Sequence, residues 1–63
     1  MEEREERLDT LKRAINRFPG KTAYELNRLL CWPRQTAQNI LLFAEEVGVL
    51  FWEDDRGGLY AVE

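Results

Sequence analysis

The sequence predicts one small, mostly α-helical domain in which three helices precede a two-stranded β-hairpin. Three segments carry apolar residues at helical spacings of three and four, and breakers at Pro19-Gly20 and a short Cys31-Trp32 turn separate them. Near the end, two β-prone runs flank a polar, glycine-containing stretch, which is typical of a hairpin. A length of 63 residues fits a single domain, residues 1–63.

The first predicted helix covers residues 2–18. Acids near its start and bases near its end suit the helix dipole. Its apolar stripe consists of Leu8, Leu11, Ile15 and Phe18, with Met1 and Arg4 in the same register. The stripe is too short for a coiled coil, so we expect it to pack on the core.

The second predicted helix covers residues 22–30, and a third follows after a short turn. Thr22 and Glu25 have the spacing of a capping box, in which each side chain bonds an amide of the first turn. The third helix covers residues 33–47, with Pro33 in its first turn and Gly48 as its C′ residue.

The third predicted helix separates apolar from polar residues. Its buried face is expected to contain Thr36, Ala37, Ile40, Phe43, Ala44 and Val47, with Leu41 on the flank. Its exposed face is expected to contain Arg34, Gln35, Gln38, Asn39, Leu42, Glu45 and Glu46. One cation and three carboxamides at the start of this face are suited to hydrogen bonds with base edges, so we interpret it as a recognition helix.

The predicted hairpin covers residues 49–62, with strands 49–53 and 58–62 around the loop 54–57. This loop is acidic, and a β-turn explains it better than a cation site does. One face is predicted to hold Val49, Phe51, Tyr60 and Val62, and the other Leu50, Trp52, Leu59 and Ala61. The second face is either covered by the first helix or the tail, or it is exposed to a partner; the sequence leaves both open.

Charge and composition exclude several classes of function. The net charge is −3, yet residues 10–43 carry six bases and one acid, a net +5. Ordinary solvated charge is the alternative explanation for this central cationic region. The single Cys31, expected as a buried turn residue, and the lack of histidine argue against a disulfide, a zinc site and an enzyme. We expect no cofactor, no membrane association, no small-molecule substrate, and a cytoplasmic location.

The segment GKTAYELNRLLCWPRQTAQNILLFAEEVGVL resembles a winged helix-turn-helix domain of small bacterial and archaeal regulators, and the likeness extends from Leu8 to Glu63. The resemblance implies a wing at residues 49–62. Three departures stand out: Cys31 occupies a turn position where glycine is usual, Pro33 replaces a serine or threonine cap, and the wing tip is acidic. If the turn keeps a positive φ, Cys31 costs roughly 1 kcal/mol.

The resemblance implies sequence-specific binding to double-stranded DNA by a transcriptional regulator, with the third helix in the major groove. The base-reading candidates are Arg34 for guanine, Gln35, Gln38 and Asn39 for adenine, and Leu42 for a thymine methyl group. The phosphate-binding candidates are Lys21 and Thr22, followed by Arg28, Arg17 and Arg56.

A homodimer is also expected, since one such domain makes few base contacts. Its surface would be the first helix or the outer face of the wing, with Leu50, Trp52 and Leu59. The alternative is a winged helix that binds protein and not DNA; the acidic balance, the acidic loop and the apolar second hairpin face favour it.

Overall fold

The computed structural model describes residues 2–62 and contains three helices followed by a two-stranded antiparallel sheet. The elements are α1 (Glu2–Arg17), α2 (Ala23–Leu29), α3 (Thr36–Glu46), β1 (Phe51–Glu53) and β2 (Leu59–Ala61). The predicted class, mostly α with a small hairpin, is confirmed. The expectations for Met1 and Glu63 lie outside the described residues. Within the described range, no helix has the length and apolar character needed to cross a membrane.

The core lies where α1 and α2 pack on α3 and where α1 meets β2. Its buried apolar side chains are Leu8, Leu11, Ala14, Ile15, Leu26, Ala37, Ile40, Ala44 and Leu59. Three of the four stripe residues predicted for the first helix are therefore in the core. Phe18 is not, because α1 ends at Arg17 and the Phe18 ring is 38% exposed.

The junction between α1 and α2 follows the local sequence signals closely. Gly20 has a φ of +91° directly after Pro19, which ends the first helix. The capping box at the start of α2 is confirmed: the Glu25 amide donates to Thr22 Oγ1 at 3.2 Å, and the Thr22 amide donates to Glu25 Oε1 at 3.0 Å.

The turn between α2 and α3 differs from the prediction. Cys31 has the positive φ considered above, +58°, but its side chain is exposed and not buried. The predicted helix start at Pro33 is wrong, because α3 begins at Thr36. Gln35 is the N-cap residue with a φ of +72°, a left-handed conformation that ends any helical path from Pro33.

The end of α3 is nearly as expected. Val47 is the C-cap residue and Gly48 has a φ of +87°, so Gly48 occupies the predicted C′ position. Val47 is nevertheless exposed, in contrast to its predicted burial, because it lies past the last helical residue.

The hairpin register is shifted by one residue from the predicted register. The pairs are Phe51 with Ala61, Trp52 with Tyr60, and Glu53 with Leu59, so Gly58 belongs to the loop. Residues directly opposite each other in an antiparallel pair share a face, and a slip of one residue exchanges the faces. The predicted composition of both faces is therefore wrong: Leu59 shares a face with Phe51, whereas Trp52 and Tyr60 share the other.

Strand β2 also bonds to the segment between α1 and α2. The Gly20 amide donates to the Leu59 carbonyl and the Leu59 amide donates to the Lys21 carbonyl, both at 2.9 Å. Gly58 fits beside this bridge because it has no side chain: a Cβ there would lie 2.6 Å from the Gly20 carbonyl oxygen. These contacts bury Leu59 to 5% exposure, so its expected role in a partner surface is wrong.

Candidate nucleic-acid interface

Most of the predicted base-reading side chains lie around one cleft between α2 and the start of α3. The cleft has a volume of about 400 Å³ and is called the α2–α3 cleft below. It is lined by Tyr24, Asn27, Arg28, Trp32, Arg34, Gln35 and Gln38, and none of these lining residues, all in the described part of the chain, is acidic. Guanidinium and carboxamide groups thus lie together with aromatic surface, a combination suited to base edges and phosphates.

Arg34 and Gln35 reach this cleft from a turn and not from a helix surface. Both side chains are exposed, but the late start of α3 places them before its first helical residue. Their predicted positions on the helix are therefore wrong. The structure still brings them beside Gln38, which is in the first turns of α3.

Asn27 is a buried polar residue that joins α2 to the start of α3. Its side chain is 4% exposed; Oδ1 accepts from the Ala37 amide at 2.7 Å and Nδ2 donates to Gln38 Oε1 at 3.0 Å. Gln35, the N-cap residue itself, makes no capping side-chain bond within residues 2–62. Asn27 therefore caps α3 from a neighbouring helix by satisfying an amide of its first turn.

Asn39 and Leu42 lie farther along α3, and both are exposed. Leu42 and Gln38 line a second groove of about 460 Å³, which the start of α2 and the hairpin complete with Glu53 and Gly57. The two clefts share Tyr24 and Gln38 and so form one continuous surface. Its hairpin side carries the carboxylate of Glu53, which would repel phosphate.

The predicted phosphate-binding residues separate into two groups. Lys21 and Arg28 line a groove beside α2, and Arg28 also lines the α2–α3 cleft. The Thr22 amide donates to Glu25 and the Thr22 hydroxyl oxygen accepts from the Glu25 amide, so the hydroxyl proton is the donor that Thr22 has left for a phosphate. Arg17 and Arg56 line neither of the two clefts that hold the base-reading candidates.

The cations near the α2–α3 cleft are not neutralised by neighbouring side chains. Within the described residues the ion pair found is Arg7–Glu3, at 3.5 Å on the surface of α1. The Arg28 guanidinium carbon lies 5.9 Å from the centre of the Tyr24 ring, near the limit for a cation–π contact. Both Arg28 and Arg34 are thus able to bind an external anion or acceptor.

The carboxylate of Asp54 is used inside the hairpin loop. Oδ1 accepts from the amides of Gly58 at 2.7 Å and Arg56 at 3.0 Å, and Oδ2 accepts from the Tyr60 hydroxyl at 3.1 Å. The Gly58 bond is the main reason that the pKa of Asp54 is lowered, and the bond to Asp54 raises the pKa of Tyr60. The acidic loop is thus built around a hydrogen-bonded turn.

A separate apolar surface lies on the other side of the hairpin. A groove of about 610 Å³ between α1 and the hairpin is lined by Lys12, Asn16, Gly48, Val49, Leu50, Phe51, Ala61 and Val62, and is called the apolar groove. Leu50 and Val62 are each more than 60% exposed there. Trp52 is also exposed; it shares the hairpin face opposite Phe51 with Tyr60, and the two ring centres are 5.2 Å apart.

Sequence reasoning missed Asn27, Tyr24 and Trp32 as parts of the candidate interface. A signal for Asn27 was present, because it lies four residues after Ala23 and three before Leu30, on an otherwise apolar stripe of α2. Polar residues on a buried stripe are usually hydrogen-bonded, so its position indicated a partner. The sequence could not identify that partner, which belongs to another helix.

A scan against protein-family models and searches of curated proteins and of solved structures found no match to this chain.

Proposed function

We propose that this chain is a winged helix-turn-helix domain that binds double-stranded DNA sequence-specifically and regulates transcription. The observation that supports the proposal is the α2–α3 cleft, in which Arg34, Gln35 and Gln38 lie together with Arg28 and no carboxylate among the lining residues. The start of α3 would enter the major groove, and Arg34 would bond a guanine edge.

The charge distribution restricts how the domain would approach DNA. Glu45 and Glu46 are exposed at the end of α3, and Glu53 lies on the hairpin side of the second groove. Phosphates would be repelled there, so the helix would insert its first turns and tilt its end away. Lys21 and Arg28 would contact the backbone beside the cleft.

A homodimer forms part of the proposal, because a second copy doubles the base contacts across half-sites about 34 Å apart. Leu50 and Trp52 remain candidates for its surface, since both are exposed. Leu59 no longer belongs to that set.

Selection from random DNA duplexes at low salt tests the proposal, followed by affinity measurements with two arginine variants. Arg34→Ala should weaken binding to the selected site by roughly 5- to 150-fold, the equivalent of about 1–3 kcal/mol for a bidentate base contact. Arg13→Ala is the matched control: it removes the same charge from an exposed position of α1 outside the cleft. Its effect should be limited to a small change in salt dependence.

Two results would refute the proposal. The first is a selection that enriches no motif, and the second is equal loss of affinity in Arg34→Ala and Arg13→Ala.

The alternative function is protein binding without DNA binding, and the exposed side chains of the apolar groove favour it. Mobility-shift assays across a salt series separate the two functions. DNA binding through these cations must weaken steeply as salt rises, whereas a partner held by Leu50 and Val62 would bind almost independently of salt.

A further inference from the structure

The orientation of two side-chain amides in the α2–α3 cleft is fixed by one backbone group. The Ala37 amide can only donate a hydrogen bond, so the Asn27 atom 2.7 Å away must be the oxygen. The Asn27 NH₂ group is then at the other corner of its amide, 3.0 Å from the side chain of Gln38. Because this NH₂ group donates, the Gln38 atom that faces it must be Oε1.

This chain of bonds determines what Gln38 can offer to a ligand. Its carbonyl oxygen is directed to Asn27, so the opposite corner of the planar amide, the NH₂ group, is the one left for the cleft. A free glutamine bonds adenine with an acceptor and a donor together, whereas Gln38 retains mainly the donor.

We propose that Asn27 is a positioning residue that makes Gln38 a hydrogen-bond donor, so that the cleft selects guanine and not adenine at the base facing Gln38. This inference rests on the proposed DNA binding. Guanine presents two acceptors, N7 and O6, in the major groove, and the two cations of the cleft, Arg28 and Arg34, are likewise donors only. The sequence-based assignment of Gln38 to adenine is replaced by this one; Gln35 and Asn39 keep theirs.

Two variants change the group that residue 38 presents to the cleft from a hydrogen-bond donor to an acceptor, each in a different way. Gln38→Glu keeps an oxygen toward Asn27 and replaces the outward NH₂ group with a second oxygen. Asn27→Asp keeps the acceptor for the Ala37 amide, but its other oxygen attracts the Gln38 NH₂ group and turns Oε1 outward. The start of α3 favours a negative charge at residue 27, which helps this variant to fold.

Binding-site selection is carried out on the wild type and on both variants. We expect the guanine preference at one base position to fall at least fivefold in each variant, with a gain for cytosine or adenine, whose exocyclic amino groups donate. Asn16→Asp is the matched control, since it makes the same amide-to-acid change on an exposed side chain of α1 that lines neither of the two clefts. This control must leave the guanine preference at that base position unchanged. Adenine selection by the wild type, or an unchanged motif in Gln38→Glu, would overturn the inference and leave DNA binding intact.

A measurement without DNA separates failure of this inference from failure of the proposed function. In ¹⁵N-resolved NMR of the free chain, the side-chain NH₂ protons of Asn27 should exchange slowly with water. Those of Gln38 should exchange at rates similar to those of the exposed Asn39. Protected Gln38 protons together with exposed Asn27 protons would refute the assigned orientation even if the chain binds DNA. The expected pattern in a chain that enriches no duplex would confirm the orientation and reject the guanine preference together with DNA binding.

Discussion

The cap that Asn27 provides for α3 can be tested by truncating it to alanine. Asn27→Ala removes two hydrogen bonds and leaves the amide of Ala37, a fully buried residue, without its acceptor. A buried donor left unsatisfied costs about 1–3 kcal/mol, and the lost bond to Gln38 adds about 0.5–1.5 kcal/mol. We therefore expect a loss of about 2–4 kcal/mol in the free energy of unfolding.

That loss is large for this chain. At about 0.05–0.15 kcal/mol per residue, 63 residues give a total stability of about 3–9 kcal/mol. At the middle of both ranges, about 3 of 6 kcal/mol, Asn27→Ala should thus remove about half of it and lower the urea midpoint in proportion.

The assay is urea unfolding followed by far-UV circular dichroism and by tryptophan fluorescence; of the two tryptophans, Trp32 lines the same cleft. Asn39→Ala is the control, because it makes the same substitution at an exposed helical position and includes the same gain in helix propensity. It should change stability by less than about 0.5 kcal/mol. If Asn27→Ala behaves like Asn39→Ala, the amide of Ala37 does not depend on Asn27 and the capping argument fails.

Two further predictions concern the turn and the hairpin loop. Cys31→Gly should stabilise the domain by up to about 1 kcal/mol, because removing the strain of an L residue at φ +58°, about 1–2 kcal/mol, outweighs the entropy of glycine, about 0.5–1 kcal/mol. A lower melting temperature for that variant would show that the Cys31 conformation is not strained. For Asp54, the lowered pKa means that its contribution to stability is present above the unfolded-state value of about 3.9 and is lost as the pH falls through the folded-state value. The stability difference between wild type and Asp54→Asn should therefore be largest above about pH 4 and should shrink as the pH falls below that value. Chemical unfolding measured from pH 2.5 to 7 tests this expectation. A difference that stays constant over this range would contradict the hydrogen-bonding assignment.

Sequence reasoning succeeded where the determining contacts are local. Thr22 and Glu25 satisfy each other's amides three residues apart, so the capping box needs no information from the rest of the chain. The C′ position of Gly48 is similar, since a glycine after an apolar helical stripe is a local signal.

The start of α3 could not be predicted because its cap comes from another element. Pro33 is a good first-turn residue by local rules, but the α3 amides that need partners find them in Asn27 of α2 and in the Pro33 carbonyl. Gln35, next to this non-local cap, has a left-handed backbone conformation that no sequence pattern predicted. Arg34 and Gln35 consequently lie in the turn, although they were expected on the helix.

The hairpin faces could not be predicted because the sequence does not decide between a loop of four residues, 54–57, and the observed loop of five residues, 54–58. Both Gly57 and Gly58 can close a tight loop, and the alternating pattern of the strands is compatible with either register. The choice is made by Asp54, which accepts from the Gly58 amide, and by the packing of Gly58 against the Gly20 carbonyl. In the observed register, Leu59 therefore lies in the core and not on the outer face.

The bridge between Lys21 and Leu59 also affects when the domain can fold during synthesis. These residues are 38 positions apart, and the bridge is made by the last strand of the domain. The helices emerge from the ribosome first, yet Leu59, which packs in the core with them, is translated only after all three. A nascent chain that stalls before that point exposes its helical core to solvent, and so to aggregation or to a chaperone. The domain can therefore complete its folding only after residue 59 has been synthesised.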